Sequence, residues 1–241
     1  MERDQPARAE HAALAAEEAE RRAANAVHDD VLSVLRAVSL ADPQVPWSLV
    51  VSKARHAQDA LVAFRSLSSR VDSTALDDAR RVAGPVLDAV ISSPAPDPDL
   101  RIAAALASAT LRDELLAPGF LTPPLADRVR ATRMAGANVI IDFAPQPETG
   151  LVQTARELLA AALAGLDPGS HATLQVHPPA RERPPLLILH VRSPQSDHAA
   201  LRRHAAQCGA LISDLGDHEL LVRLQPRPGR SAVLAPRKRS P

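Results

Sequence analysis

Two adjacent residues in the first third of the chain carry side chains suited to group transfer. His28 and Asp29 lie within Glu17-Glu18-Ala19-Glu20-Arg21-Arg22-Ala23-Ala24-Asn25-Ala26-Val27-His28-Asp29-Asp30-Val31-Leu32-Ser33-Val34-Leu35-Arg36, a charged, alanine-rich run. A neutral imidazole with one free ring nitrogen can attack phosphorus. A carboxylate one residue on can hold or accept the proton of the other nitrogen, which raises nucleophilicity at the reacting one. His28 is thus the candidate phosphoacceptor, and Asp29 its hydrogen-bond partner and general base. The plainer alternative stays beside this one: a lone histidine in an alanine-rich helix is usually a solvated or interface side chain.

The element that must position the pair is a helix from about 9 to 40, in which Ala24, Val27, Val31, Val34 and Val38 recur at spacings of three and four. It stops near Asp42-Pro43. A second helix opens at Pro46-Trp47 and repeats the spacing at Val50, Ala54, Ala57, Leu61 and Phe64. Two matched seams joined by a short proline-containing turn predict an antiparallel hairpin. A second copy of the hairpin would cover both stripes, giving a homodimeric four-helix bundle; packing against the helices that follow in the same chain is the alternative. Further helices are expected at 74–92, with Pro85 breaking or kinking it, and at 98–117, separated by a proline-rich linker from Ser92 to Pro98.

From Pro118 the elements alternate. Helices are expected at 124–135, 150–165 and Asp197–Cys208, and strands at Asn138–Phe143, Ala172–Val176, Leu186–Arg192, Ala210–Ser213 and Glu219–Leu224. That order predicts an α/β sandwich. The fold class is therefore α plus α/β. Residues 1–70 form the helical hairpin, 71–117 connecting helices and linker, 118–226 the α/β domain, and 227–241 a basic tail that reads as disordered on composition.

Around His28 the chain resembles the phosphoacceptor helix of sensor histidine kinases of the His-Asp subfamily, whose box reads roughly Glu-Arg-x-Arg-Ile-Ala-Arg-x-Leu-His-Asp; Arg22 and Ala24 also match. The order of elements after 118 is similar to the ATP-binding domain of those kinases and of chaperone ATPases, the GHKL fold. In that family a helix of the form Arg-Glu-x-x-x-Asn supplies a Mg²⁺ ligand. Here Arg156 and Glu157 match and Ala161 stands where the ligand would be, and a methyl group cannot coordinate Mg²⁺. The family's adenine-binding Asp-x-Gly-x-Gly aligns with Ser193-Pro194-Gln195-Ser196-Asp197, which lacks the aspartate and both glycines, and no lid separates it from the next helix. The resemblance thus implies a degenerate domain without nucleotide, so no cofactor and no metal site is expected, with ATP-Mg²⁺ required only if a divergent kinase is the correct alternative. The amide that orients water for phosphatase activity in the resembled subfamily falls at Ser33, whose hydroxyl is shorter.

Composition excludes other classes. The 241 residues carry 28 acidic and 28 basic side chains, so no net field draws the protein to nucleic acid or anionic lipid. No apolar run approaches the ~20 residues of a membrane span, and Met1-Glu2-Arg3-Asp4-Gln5-Pro6 lacks a signal peptide's apolar core, so a cytoplasmic protein is expected. The single cysteine, Cys208, reads as a structural thiol at a helix end and excludes an internal disulfide. His171, His177 and His190 fit no common metal-ligand spacing and read as surface histidines.

The expected function is phosphate exchange between His28 and a response regulator, in a dimer whose GHKL-like domain shapes a docking surface without ATP. Its rivals are an active, divergent ATP-dependent histidine kinase and a non-catalytic dimeric scaffold that binds a regulator.

Overall fold

The computed structural model describes residues 5–67, 74–143, 149–177, 184–196 and 198–225. The expected disordered tail, Asp197 and the side chains of Ala24 and Phe64 lie outside that description. Among the described residues there are seven helices and one mixed five-stranded sheet, so the chain is α plus β overall. No helix among them is long and apolar enough to cross a membrane. The chain divides into two compact units, Met1–Leu115 and Leu116–Pro241.

The first unit is helical: α1 (Gln5–Leu40), α2 (Trp47–Leu67), α3 (Thr74–Ser92) and α4 (Pro98–Leu116, ending at the unit boundary). Val31, Val34, Leu35 and Val38 of α1 are buried, as are Val50, Ala54, Ala57 and Leu61 of α2. The apolar face of α1 is wider than a narrow seam because Leu35 lies on it, fully buried. Removing one leucine of this kind from water contributes about 1.5–3 kcal/mol. α3 adds Ala79, Ala83, Val86, Leu87 and Val90 to the same core, and α4 adds Leu100, Ala104, Ala107 and Leu111. The stripes of the hairpin are therefore covered within one chain. The prevalence of alanine at these positions lets helix backbones approach closely, which suits a chain with one Trp, three Phe and no Tyr.

Pro85 stands inside α3, yet the helix runs unbroken from Thr74 to Ser92. Proline removes one backbone donor, and the burial of Ala79 and Ala83 before it and Leu87 and Val90 after it holds both halves in one helix. The linker after α3 is tied down by Trp47, whose Nε1–H donates to the Ser93 carbonyl at 2.9 Å. Asp97 caps α4 by accepting from the Leu100 N–H at 2.7 Å.

In the second unit, α5 (Pro123–Met134) is followed by β1 (Asn138–Phe143), α6 (Thr149–Leu163), β2 (His171–His177), β3 (Leu186–Arg192), α7 (Ala199–Gln207), β4 (Leu211–Gly216) and β5 (Glu219–Leu224). The sheet order is β1-β2-β3-β5-β4; β1 and β2 are parallel and the other pairs antiparallel. Burial alternates along β2 and β3 with a period of two, and Ala172, Leu174, Val176, Leu187, Leu189 and Val191 face a core shared with Leu158, Leu159 and Ala162 of α6 and Leu201 and Ala205 of α7. One face of the sheet is thus covered by helices. α6 and α7, which carry the positions of interest in this unit, are anchored through these apolar residues.

Candidate functional site

His28 sits on the inner face of α1, three residues before Val31 and seven before Leu35, and is 7% exposed. Its Nε2 is buried without a hydrogen-bond partner. Burial holds the imidazole below its ordinary pKa, and the negative charge of Asp29 opposes that shift. The neutral ring, the form able to attack phosphorus, is therefore favoured. Asp29 is exposed, and no hydrogen bond joins it to His28, so its influence on the ring is through charge alone. Arg22, exposed on the same helix, spends its Nε–H on the Glu18 carbonyl at 3.3 Å. Ser33 is exposed.

The burial of His28 makes stability depend on pH. The unfolded chain protonates this ring near pH 6.5 and the folded chain at a lower pH, so between the two the unfolded state holds more protons. The contribution is fully present above 6.5 and is lost as pH falls through the lowered folded value. Thermal unfolding from about pH 7.5 down to about pH 5 is expected to show a steeper loss of midpoint in the wild type than in His28→Leu. Parallel curves would mean that the ring is not desolvated.

In the second unit, the positions aligned with nucleotide-binding residues are engaged in the fold itself. Arg156 donates to the Phe120 and Gly119 carbonyls, each at 2.8 Å, and its guanidinium lies 5.9 Å from the Phe120 ring centroid. Ala161 is half-buried against the core. Ser193 is fully buried: its hydroxyl accepts from Ser170 at 2.8 Å and faces the Gly165 carbonyl at 3.2 Å and Asp167 Oδ2 at 3.3 Å. The Ser193 N–H donates to the His218 carbonyl at 3.0 Å. The turn that follows lies tight on its neighbours, since a Cβ on Gly165 would come within 2.8 Å of Ser196 Oγ. This segment is fastened down by hydrogen bonds on both sides.

The three histidines of the sheet are distributed among separate contacts. His171 Nε2 is 2.7 Å from Thr173 Oγ1, His190 Nε2 is 2.6 Å from Glu219 Oε1, and His177 is exposed at the strand end. A different cluster forms where sequence reasoning drew none. Glu157 on α6 meets His204 of α7 and Cys208, the residue that caps the end of that helix, and one potential ligand atom from each lies within 4.8 Å of the others. Its sequence signature is the spacing of four between His204 and Cys208, which puts both on one side of α7. Cys208 is at the helix end, as expected, and is half-buried; burial, and secondarily the charge of Glu157, push its thiol pKa up.

No protein-family model and no curated protein matches the chain. Among solved structures, one similar chain is a bacterial phosphotransferase, with 11% identity and a TM-score of 0.28 over 80% of this chain and 95% of that one. At that score the likeness is weak and assigns neither the fold nor the chemistry of this chain.

Proposed function

We propose that the chain is a histidine-kinase-like phosphotransfer protein of a two-component system, in which His28 exchanges a phosphoryl group with a response-regulator aspartate and the second unit is a GHKL-like domain that does not use ATP. Nε2 of His28 would attack the phosphorus of the aspartyl phosphate. The N–P bond forms, the P–O bond to the aspartyl carboxylate breaks, and the carboxylate leaves with the bonding pair. The proton of the other ring nitrogen would pass to solvent once the ring is uncovered, with Asp29 favouring the charged ring through its negative charge rather than by a hydrogen bond. The observation that carries this reading is the buried Nε2 without a hydrogen-bond partner, on a ring that burial keeps neutral. The anchored Ser193 and the methyl side chain of Ala161 support the nucleotide-free half of the proposal. At 7% exposure the ring must be uncovered before it reacts, so transfer includes an opening step at α1.

The same burial favours a second reading, in which His28 only packs the helical core and the protein is a scaffold for a regulator. A homodimer belongs to both; Leu49 and Val62 of α2, 48% and 54% exposed, offer apolar surface for it, and light scattering on the full chain would read a monomer if it is wrong.

The experiment that separates these readings incubates the full chain with labelled ATP-Mg²⁺ and, separately, with response regulators carrying labelled aspartyl phosphate. Acid-labile, base-stable label from the regulator alone is expected. Label from ATP would make the protein a divergent kinase, and label from neither source would favour the scaffold.

A further inference from the structure

We propose that Glu157, His204 and Cys208 form a binding site for a borderline-soft divalent cation of the zinc class, with one coordination position left to solvent. The three donors are a carboxylate oxygen, an imidazole nitrogen and a thiolate sulfur. That set suits Zn²⁺ and is wrong for Mg²⁺ or Ca²⁺, which take oxygen ligands. It is a different site, with different chemistry, from the Mg²⁺-nucleotide site that Ala161 fails to complete.

The geometry comes from rigid elements. α6 is fixed by Ala155, Leu158, Leu159 and Ala162, and α7 by Leu201 and Ala205, all buried in one core. The end of α7 is closed by the Ala210 N–H donating to the Ala205 carbonyl at 2.9 Å, with Gly209 at φ +73° turning the chain away, so the backbone at Cys208 is set. Ligand atoms of a tetrahedral zinc ion are about 3.3–3.8 Å apart, given bonds of about 2.0–2.3 Å. His204 Nε2 is 3.4 Å from Glu157 Oε2, inside that range, and the whole set lies within 4.8 Å, so modest side-chain rotation completes the triad. His204 Nε2 is a buried atom with no hydrogen bond, although it faces a carboxylate. The other oxygen, Oε1, accepts from Gln153 Nε2 at 2.8 Å, which orients the carboxylate and leaves Oε2 to point at the cluster. The side chains of Glu157 and His204 are 44% and 28% exposed, which provides an entry path and room for the solvent ligand.

Binding would break the S–H bond of Cys208, form a metal–sulfur bond and release the proton to solvent. One carboxylate and one thiolate then neutralise the divalent charge. The ion would join the end of α7 to the middle of α6.

The test uses chelator-treated full-length protein titrated with Co²⁺, displaced afterwards by Zn²⁺. One equivalent of cobalt is expected to give a thiolate-to-cobalt charge-transfer band with tetrahedral visible bands. Cys208→Ser is expected to abolish the charge-transfer band, and His204→Gln and Glu157→Gln to weaken affinity about 100-fold or more, since even residues behind the ligands cost 10–100-fold. A measurement on the wild type alone guards against misfolded variants: Cys208 is the single cysteine, so one equivalent of Zn²⁺ should protect the chain from thiol alkylation. Absence of the band, cobalt spectra unchanged in His204→Gln, or alkylation indifferent to Zn²⁺ would each overturn the proposal.

Discussion

Replacing His28 by leucine is expected to abolish phosphoryl exchange while raising the stability of the helical unit. The ring lies on the core face of α1 with its Nε2 unpartnered, and such a group costs about 1–3 kcal/mol of desolvation. Leucine fills a comparable volume beside Val31 and Leu35 without that cost. For a unit of this size, each kcal/mol moves the melting midpoint by roughly 4–8 °C. His28→Gln keeps a polar side chain there and should lose exchange without the stabilisation. The combination matters because replacing a histidine kept only for packing would cost stability and leave function intact, whereas replacing a nucleophile kept at the expense of stability would raise stability and abolish function. Thermal unfolding and transfer assays on the same preparations read the two outcomes. A leucine variant that is both less stable and fully active would place His28 among the packing residues.

The second large effect is expected at Ser193, where the resembled family has an aspartate that binds adenine. An acid at this position should not create a nucleotide site. Ser193 is fully buried, and its hydroxyl faces the Gly165 carbonyl and the Asp167 carboxylate while accepting from Ser170. A carboxylate at this point loses the donor and sets a second negative charge beside Asp167. Ser193→Asp should therefore destabilise the second unit by about 3–5 kcal/mol, the scale of an uncompensated buried charge. Chemical denaturation measures the loss, and ATP-Mg²⁺ should give no compensating stabilisation. A variant that folds as well as the wild type and is stabilised by nucleotide would show that the turn can open into a binding site.

The helices and strands were legible because their periodicities are clean. The strand Leu186–Arg192 alternates half-buried and buried residues as far as Val191 and ends on the exposed Arg192, and Val50, Ala54, Ala57 and Leu61 keep helical spacing and are all buried. The environment of His28 was less legible. Heptad spacing marks Ala24 and the valines at 27, 31, 34 and 38, but the stripe also takes in Leu35, and a stripe wide enough for Leu35 takes in the residue seven before it, His28. Sequence spacing also favours local partners. It points to a hydrogen bond between the neighbours His28 and Asp29, but consecutive helix positions point apart and the bond does not form. Conversely, Glu157 is 47 residues from His204 in the chain, and only the packing of α6 on α7 brings them together. Pro85 shows the same limit from the other side. Its local preference is to end a helix, and buried residues on both sides override it.

The most direct test of the phosphotransfer reading is to locate the phosphate. The full chain would be incubated without nucleotide against response regulators charged on aspartate by a small-molecule phosphodonor, quenched in alkali, digested and mapped by mass spectrometry. One phosphorylated residue, His28, is expected, with the signal absent from His28→Gln. Phosphate on any other residue, or none from regulators that charge normally, would contradict it.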